Sequence, residues 1–408
     1  ELLPMAEYEG WVSWGYGTSH YFAIEYVSGG RDQFKHFVKA CHQRGIAVIL
    51  DVVYNHYDHE AERAEWAFDS DTPEKNIYYW YEGNASDYPN ANPEGSGGYI
   101  DNMSTGYAPR FWDETVRQLF ISSAAVLLLD FHVDGFRVDQ TTSIHSYPVI
   151  HANGASADNA KAFGVKFLRQ WARTMKLVKP SSFLIAEDHS GWDAVTQHPD
   201  EGGLGFDSVW YADFYHHLMG DTDKGSDYAK LIKTAALADN RPLAMDYFAG
   251  ALSAADPHKV VYSESHDEAG NSEFSARSIK VAVNRAPLEG ETRTYAEARC
   301  RVAVALAFLS AGIPMFFMGE EVGAQKDYRY DDFMSFREDF QYLKEHESRQ
   351  LYKYYSDLIH FRTERPVIQQ GGLELVHVHN ANRVLGFLRQ KEQESFLVLA
   401  SLNDAPFD

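Results

Sequence analysis

The sequence predicts an α/β fold in which parallel strands form a closed barrel covered by helices. Short apolar runs end in a charged residue or a histidine, and amphipathic helical segments lie between them. Such runs are typical of strands buried on both faces, as in a parallel sheet flanked by helices. Because acidic residues recur where strands end, we favour a closed barrel, whose chemistry lies at the carboxyl ends of its strands. A doubly wound open sheet is the alternative, but no glycine-rich phosphate loop follows any run.

Five apolar runs are predicted to be strands, and each leads into polar residues. The runs are Ile46–Leu50 before Asp51, Gly135–Val138 before Asp139, Phe183–Ala186 before Glu187, Val260–Ser263 before Glu264, and Met315–Met318 before Gly319.

The segments between these runs have helical periodicity. Apolar residues at i, i+3, i+4 and i+7 predict one face of a helix. The pattern occurs at Phe34, Phe37, Val38 and Cys41, with Gly45 placed to end the helix, and again at Leu119–Leu127 and Val165–Met175.

The longest apolar run, from Val302 to Met318, is predicted to be a buried helix, a turn and a buried strand. Ser310 and the Gly312-Ile313-Pro314 segment interrupt it. A membrane span needs roughly 20 continuous apolar residues, so no membrane association is expected.

Two segments depart from the strand–helix alternation. Residues 57–111 are rich in Tyr, Trp, Asn, Pro and Gly, which predicts a long functional excursion after the third strand. From residue 371 onward, short β runs follow one another without helices. We therefore predict a barrel over 1–56 and 112–370, a loop domain over 57–111, and the start of a C-terminal β domain over 371–408.

Composition restricts the classes of partner. The 408 residues contain 37 Lys and Arg against 59 Asp and Glu, a formal net charge of −22. Nucleic-acid and anionic-membrane partners are disfavoured, because such binding depends on basic side chains. The two cysteines, Cys41 and Cys300, give no disulfide framework, and no signal peptide is visible. We therefore expect a cytoplasmic protein.

Three carboxylates at strand ends, Asp139, Glu187 and Asp267, are the candidate catalytic residues. Retaining cleavage of a glycosidic bond requires one carboxylate that attacks and another that donates a proton. Arg137 lies two residues before Asp139, so strand alternation places both side chains on one face. There the cation is expected to keep Asp139 ionised, while partial burial is expected to raise the pKa of Glu187 toward the acid role.

Each residue also has a structural interpretation. An acid after an apolar run is often a helix cap or a solvated loop charge. His56 and His266 also lie at strand ends, where they could donate to sugar hydroxyls, and together with Arg137 they favour the catalytic interpretation. Asn55 could be a calcium ligand or a turn residue, and we favour the turn. The aromatic residues of 57–111 are expected to include sugar-stacking platforms.

Four segments in order resemble the signature regions of the α-amylase superfamily, glycoside hydrolase family 13. They are Asp51-Val-Val-Tyr-Asn-His56, Gly135-Phe-Arg-Val-Asp139, Ile185-Ala-Glu187-Asp188 and Glu264-Ser-His-Asp267. Two further segments, Ser13-Trp-Gly-Tyr16 and Gly312-Ile-Pro-Met-Phe-Phe-Met-Gly-Glu320, are also similar to family segments. The resemblance runs from near residue 1 to about residue 400.

The resemblance implies a (β/α)8 TIM barrel with named roles for the site residues. Asp139 would be the nucleophile, Glu187 the general acid/base, and Asp267 the residue that stabilises the oxocarbenium-like state. The residues lining the sugar subsite would be Tyr16, Asp51, His56, Arg137 and His266. The substrate would be an α-1,4-glucan such as glycogen, amylose or a maltooligosaccharide, and neither an organic cofactor nor a metal is implied.

The resemblance also bears on the first residues. Glu1-Leu-Leu-Pro4 is similar to the end of the family's second barrel strand, so the first strand and any N-terminal β-sandwich domain are missing from this sequence. We therefore expect the gene product to extend upstream.

Within the superfamily, several segments resemble the 1,4-α-glucan branching enzymes, among them Ile185-Ala-Glu-Asp-His-Ser190, Gly202–Phe206 and Arg383–Arg389. Tyr211–His217 and Ala269-Gly-Asn271 are instead similar to the maltooligosyltrehalose trehalohydrolases. A hydrolase of that kind, or an α-amylase, is therefore the alternative. A barrel that only binds glucan is less favoured, because all three carboxylate positions are filled.

Overall fold

The chain folds into two compact units, Glu1–Trp210 and Tyr211–Asp408. The computed structural model describes residues 1–10, 13–58, 72, 75–76, 78–83, 99–100, 102, 106–146, 149–152, 155–157, 159–220, 227–330, 332, 334–335 and 337–403.

The first unit contains a two-stranded antiparallel sheet and a row of parallel strands. The antiparallel pair is β1 (Ala6–Tyr8) with β2 (Thr18–Ile24). The parallel strands, in spatial order, are β3 (Ile49–Val52), β4 (Gly135–Val138), β5 (Phe183–Ala186) and β6 (Ser208–Trp210).

Helices connect these strands. They are α1 (Gly30–His42), α2 (Glu114–Asp130), α3 (Thr141–His145) and α4 (Asn159–Val178), with two 3-10 turns at Asp193–Val195 and Pro199–Glu201. Asp113 caps α2 by accepting a hydrogen bond from the Thr115 N–H at 2.8 Å. The predicted helices around Phe34, Leu119 and Val165 are confirmed.

The strands of the first unit are buried, as their continuous apolar character predicts. All four residues of β4 are buried, as are three of the four residues in β3 and in β5. Gly135 allows β4 and β5 to approach closely, because a Cβ there would overlap the carbonyl oxygen of Phe183. The predicted first strand begins three residues late, at Ile49, since Ile46 is half exposed to solvent.

Leu2 lies beside β3, where it forms a parallel bridge with Leu50. Its N–H donates to the Ile49 carbonyl at 2.9 Å, and its carbonyl accepts from the Asp51 N–H at 3.0 Å. The segment whose sequence resembles the end of a barrel strand therefore lies in the direction and register of one.

A cluster of aromatic side chains between the parallel strands and helix α4 forms the centre of the first unit's core. Trp171 of α4 is fully buried, and its ring lies 5.5 Å from Phe136 and 6.2 Å from Tyr54. Phe167, one helical turn earlier, lies 5.6 Å from Phe120 of α2. Aromatic residues contribute large buried areas, so this cluster joins the strands to both helices.

The excursion after β3 has its own aromatic core in the part that the structure describes. Tyr57 pairs with Tyr107, and Tyr79 pairs with Pro109. Tyr57 and Tyr79 are fully buried with their rings 4.3 Å apart, and Trp80 is buried too. The expectation of sugar-stacking platforms is wrong for these three residues, because each ring is covered by neighbouring aromatic or apolar side chains.

The second unit contains two parallel strands, β7 (Lys259–Tyr262) and β8 (Ile313–Met315), and an antiparallel sheet of β9 (Gly372–His379), β10 (Val384–Lys391) and β11 (Glu394–Ser401). Its helices are α5 (Ala212–Leu218), α6 (Leu231–Ala235), α7 (Met245–Ala254), α8 (Ser278–Val281), α9 (Gly290–Leu309), α10 (Phe340–Glu345), α11 (Arg349–Thr363) and α12 (Pro366–Gln370), with a 3-10 turn at Glu320–Val322.

The apolar run Val302–Met318 forms the end of α9, a turn and β8, as predicted. The strand is offset from the prediction, because it covers Ile313–Met315 and shares only Met315 with the predicted Met315–Met318. Ile313 and Pro314, which were expected in the turn, belong to the strand, and its residues are only half buried. Beyond it, Glu320 accepts a hydrogen bond from the Phe317 N–H, which turns the chain at Gly319. None of the helices in the described ranges has the length and apolar continuity that crossing a membrane requires.

Two arginines, the buried Arg389 and the half-buried Arg362, bind the carboxyl end of α9. Arg389 of β10 donates to the Leu309 carbonyl at 2.8 Å and to Ser310, and Arg362 of α11 donates to the Phe308 carbonyl at 2.6 Å. Cations stabilise this end of a helix, where carbonyl groups lack helical partners. The antiparallel sheet predicted from residue 371 onward is thereby attached to helix α9.

We expect Trp171→Ala to lower the free energy of unfolding by about 3–5 kcal/mol, because it removes the largest side chain of the core. Urea unfolding followed by circular dichroism measures the change. Trp192→Ala is the matched control, since 39% of that residue is exposed. Equal losses in the two variants would contradict this description of the core.

Candidate active site

Arg137 is fully buried and contacts three carboxylates. Its Nη1 lies 2.6 Å from Asp51 Oδ2 and 2.9 Å from Asp139 Oδ1, and its Nη2 lies 2.8 Å from Glu187 Oε2. The guanidinium carbon lies 4.5 Å from the centre of the Trp210 ring. The first two predicted catalytic carboxylates therefore meet on one cation.

Strand register explains this convergence. In the parallel ladder, Asp51 of β3 pairs with Arg137 of β4, so both side chains lie on the same face. Asp139 follows Arg137 by two positions and shares that face, as predicted. Glu187 comes directly after β5, the next strand, so all four side chains gather at the carboxyl ends of neighbouring strands.

Tyr16 and Asp51 form one side of the cluster. The Tyr16 hydroxyl donates to Asp51 Oδ2 at 2.6 Å and lies 3.4 Å from Arg137 Nη1. Asp51 is buried, so its carboxylate depends on these two donors. The structure thus brings two predicted sugar-binding residues, Tyr16 and Asp51, onto the same cation that contacts Asp139 and Glu187.

Asn55 links Asp139 to the excursion. Its Nδ2 donates to Asp139 Oδ2 at 2.6 Å, and its Oδ1 accepts from His56 Nδ1 at 2.7 Å and from Asn102 Nδ2 at 3.3 Å. A carboxamide oxygen only accepts, so these two donors fix which end of the amide faces Asp139. Asn55 was predicted to be a turn residue, and its contact with Asp139 was not expected from the sequence.

The Glu187 carboxylate accepts hydrogen bonds from several groups. Its Oε2 accepts the Gln140 backbone N–H at 2.8 Å, in addition to the ion pair with Arg137. Gln140 has a φ of 43°, an uncommon value for a residue other than glycine, and this conformation directs its N–H toward Glu187. His189 Nε2 lies 3.3 Å from Oε1. Gln140 and His189 are functional candidates that the sequence analysis missed.

The crowding of carboxylates raises two pKa values. Burial raises the pKa of Asp51 to about 7, against the opposing effect of Arg137. Burial also raises the pKa of Asp139 well above its usual range, and the charges of Glu187 and Asp51 raise it further. One guanidinium cannot neutralise three carboxylates, so protons are retained within the cluster.

The pKa of Glu187 shifts in the opposite direction. Arg137, His189 and the Gln140 N–H outweigh the large effect of burial and lower the pKa of Glu187 to about 2. The sequence-based expectation of an ionised Asp139 and a raised pKa for Glu187 is therefore reversed in this structure. The reason is geometric, since Glu187 accepts more hydrogen bonds from donors than Asp139 does.

The loop after Glu187 is held by Asp188. This carboxylate accepts hydrogen bonds from the Thr141 hydroxyl at 2.7 Å and the Ser190 N–H at 3.0 Å, and its Oδ2 lies 2.6 Å from His145 Nε2. The His189 N–H also donates to the Thr142 hydroxyl at 2.7 Å. These bonds between the loop and helix α3 fix the backbone on both sides of His189.

Asp267 and His266 belong to the second unit and lie in the segment that follows β7. His266 is buried, and its Nε2 lies 3.3 Å from Asp267 Oδ2. The Asp267 side chain is 46% exposed. Both residues follow a strand, as predicted, and their side chains contact each other.

Among the residues that the structure describes, no group of three or more His, Cys, Asp or Glu side chains has an arrangement suited to a metal ion.

The family of the chain is shown by its sequence. Residues 4–350 match the family of alpha-amylase catalytic domains. The chain belongs to this family of α-glucan-active enzymes.

Curated relatives of the chain include bacterial 1,4-alpha-glucan branching enzymes. Those of Bacillus caldolyticus and Lactobacillus acidophilus are both 26% identical to it, and the alignments cover all of this chain but 55% and 59% of theirs. The chain thus spans about half the length of the curated relatives it matches.

Solved structures confirm the predicted fold class, an α-amylase-type barrel with a C-terminal β domain. An alpha-amylase from Geobacillus thermoleovorans, complexed with acarbose, has a TM-score of 0.65 at 18% identity, covering 98% of this chain and 75% of that one. A cyclomaltodextrinase has a TM-score of 0.68 at 18% identity, and the alignment covers 97% of this chain and 58% of the cyclomaltodextrinase.

The free energy of unfolding should fall as the pH rises from about 4 to 7, because folding raises the pKa of Asp51 from 3.8 to about 7. Across that range the unfolded state releases the proton while the folded state keeps it, so folding becomes less favourable as pH rises. Asp51→Asn should remove up to about 4 kcal/mol of this decline. Urea unfolding at pH 4.5 and 8 measures it, with the exposed Asp200→Asn as control. An unchanged pH dependence in Asp51→Asn would contradict the assignment.

Proposed function

We propose that the protein is a retaining α-glucan-active enzyme, most specifically a 1,4-α-glucan branching enzyme. It cuts an α-1,4-glucan and transfers the released segment to a sugar 6-hydroxyl. The observation that supports this best is the meeting of Asp139 and Glu187 on Arg137, because retaining cleavage requires two carboxylates at close range. A cytoplasmic role in glycogen metabolism is part of the proposal.

In the first step, Asp139 attacks the anomeric carbon while Glu187 donates a proton to the departing glycosidic oxygen. This step needs Asp139 ionised and Glu187 protonated, the reverse of the proton distribution described above. The two carboxylates share a cation, so they titrate as a pair. The reactive state forms when Asp139 has lost its proton to solvent and Glu187 has gained one. Arg137 supports either state because it contacts both.

In the second step, Glu187 removes a proton from the incoming hydroxyl, which then displaces Asp139. A sugar 6-hydroxyl gives an α-1,6 branch, and water gives hydrolysis. Tyr16, Asp51 and His56 are proposed to bind the glucosyl unit beside the cleaved bond. Asp267 and His266 are assigned to the ring hydroxyls on the family resemblance alone.

Transfer is favoured over hydrolysis by sequence similarity. Curated relatives that align over all or nearly all of the chain include branching enzymes. Hydrolysis is the second candidate, supported by the likeness of Tyr211–His217 to the trehalohydrolases.

Amylose incubation separates the two activities. We expect new α-1,6 branches, detected as short chains after debranching, with few new reducing ends before it. Accumulating reducing ends, or trehalose released from a maltooligosyltrehalose, would assign the protein to the hydrolases.

We expect Glu187→Gln to lower the turnover rate on amylose by about 10²–10⁴-fold, because the amide cannot donate the proton. Asp139→Asn should abolish the covalent intermediate and be at least as severe. Glu201→Gln, at an exposed position of a 3-10 turn, is the matched control and should retain activity. A fully active Glu187→Gln variant would exclude Glu187 as the acid.

A further inference from the structure

The imidazole of His189 connects the buried carboxyl of Glu187 to solvent. Its Nε2 lies 3.3 Å from Glu187 Oε1, and its side chain is 38% exposed, compared with 6% for Glu187. The bond from the His189 N–H to Thr142, together with those of Asp188, holds the ring in place. His189 is therefore built into the site at a point where it can exchange protons with water.

The two oxygens of Glu187 have different partners. Oε2 has the short contacts, with Arg137 Nη2 and the Gln140 N–H both at 2.8 Å. Oε1 has the long ones, with His189 Nε2 at 3.3 Å and Gln140 Nε2 at 3.4 Å. Protonating Oε2 would disrupt the stronger interactions. Oε1 is therefore the oxygen that accepts a proton at lower cost, and His189 faces it.

We propose that His189 holds the proton that Glu187 uses as general acid, and thereby sets the upper pH limit of the cleavage step. This inference depends on the acid/base role of Glu187 in the proposed function. His189 does not touch the reacting atoms, so it is a positioning residue that acts through Glu187.

The proton transfers balance over one turnover. The Nε2 proton of the imidazolium moves to Glu187 Oε1, which leaves a neutral imidazole and a carboxylic acid. The acid protonates the glycosidic oxygen as that C–O bond breaks and the bond from Asp139 to the anomeric carbon forms. Glu187 then takes a proton from the acceptor hydroxyl as its oxygen displaces Asp139, and returns it to His189. No oxidant, reductant or further reactant is needed.

The charged groups around His189 favour its protonated form. The hydrogen bond and charge of Glu187 raise the pKa of His189, and Asp188 contributes in the same direction, while burial and Arg137 oppose them. His145 is paired with Asp188 across the loop, and Asp139 and Asp51 contact Arg137 on its far side. The proton is lost as pH rises through this raised pKa, so the cleavage rate should fall there.

The test compares amylose with an α-maltosyl fluoride, whose leaving group needs no proton. Turnover and KM are measured from pH 5 to 9 for the parent, His189→Gln and the control His36→Gln, an exposed residue of α1. On amylose at pH 7, His189→Gln should be at least tenfold slower with KM within twofold, and its rate should rise toward acid pH. On the fluoride, the turnover rates of all three proteins should agree within twofold.

Two results would overturn the proposal. One is an amylose pH profile of His189→Gln that matches the parent, and the other is an equal loss on both substrates, which indicates a structural role. If the His189→Gln variant does not fold, the parent protein provides the test. The proposal requires that the turnover rate of the parent on amylose declines at high pH and that its rate on the fluoride does not. An inactive parent, or an active Glu187→Gln variant, would instead refute the proposed function.

Discussion

The candidate site depends on a single buried cation. Arg137 lies in the middle of a four-residue strand, without exposure to solvent, and its guanidinium compensates part of the charge of three acidic side chains. Removing it would leave those carboxylates buried and uncompensated, which is far more costly than removing one of them. The strands, the loop after Glu187 and the position of Tyr16 are all arranged around this residue.

The imbalance between one cation and three anions also makes the site adaptable. Because the group cannot be fully ionised at low cost, it retains protons whose location depends on small differences in hydrogen bonding. A retaining glycosidase needs such mobility, since its acid/base carboxylate gives up a proton in the first step and takes one in the second. The same feature makes the native state sensitive to pH, so the properties that suit the chemistry reduce stability.

Much of the fold was predictable from sequence, because burial on both faces gives parallel strands a continuous apolar character. The convergence of Asp139 and Arg137 followed from two-residue alternation, and Asp51 and Glu187 followed from their places at strand ends. The pKa directions were not predictable, since they depend on how many donors reach each carboxylate. The left-handed backbone of Gln140 has no sequence signal, whereas the position of His189, two residues after Glu187, could have suggested their contact.

The bridge from Asn102 through Asn55 to Asp139 has an evolutionary consequence. The side-chain amide of an asparagine can rotate by 180°, and the reversed orientation would aim an oxygen at the Asp139 carboxylate in place of a donor. Asn102 and His56 prevent this reversal. Sequence change in the excursion therefore leaves the hydrogen bond from Asn55 to Asp139 intact as long as position 102 keeps a donor.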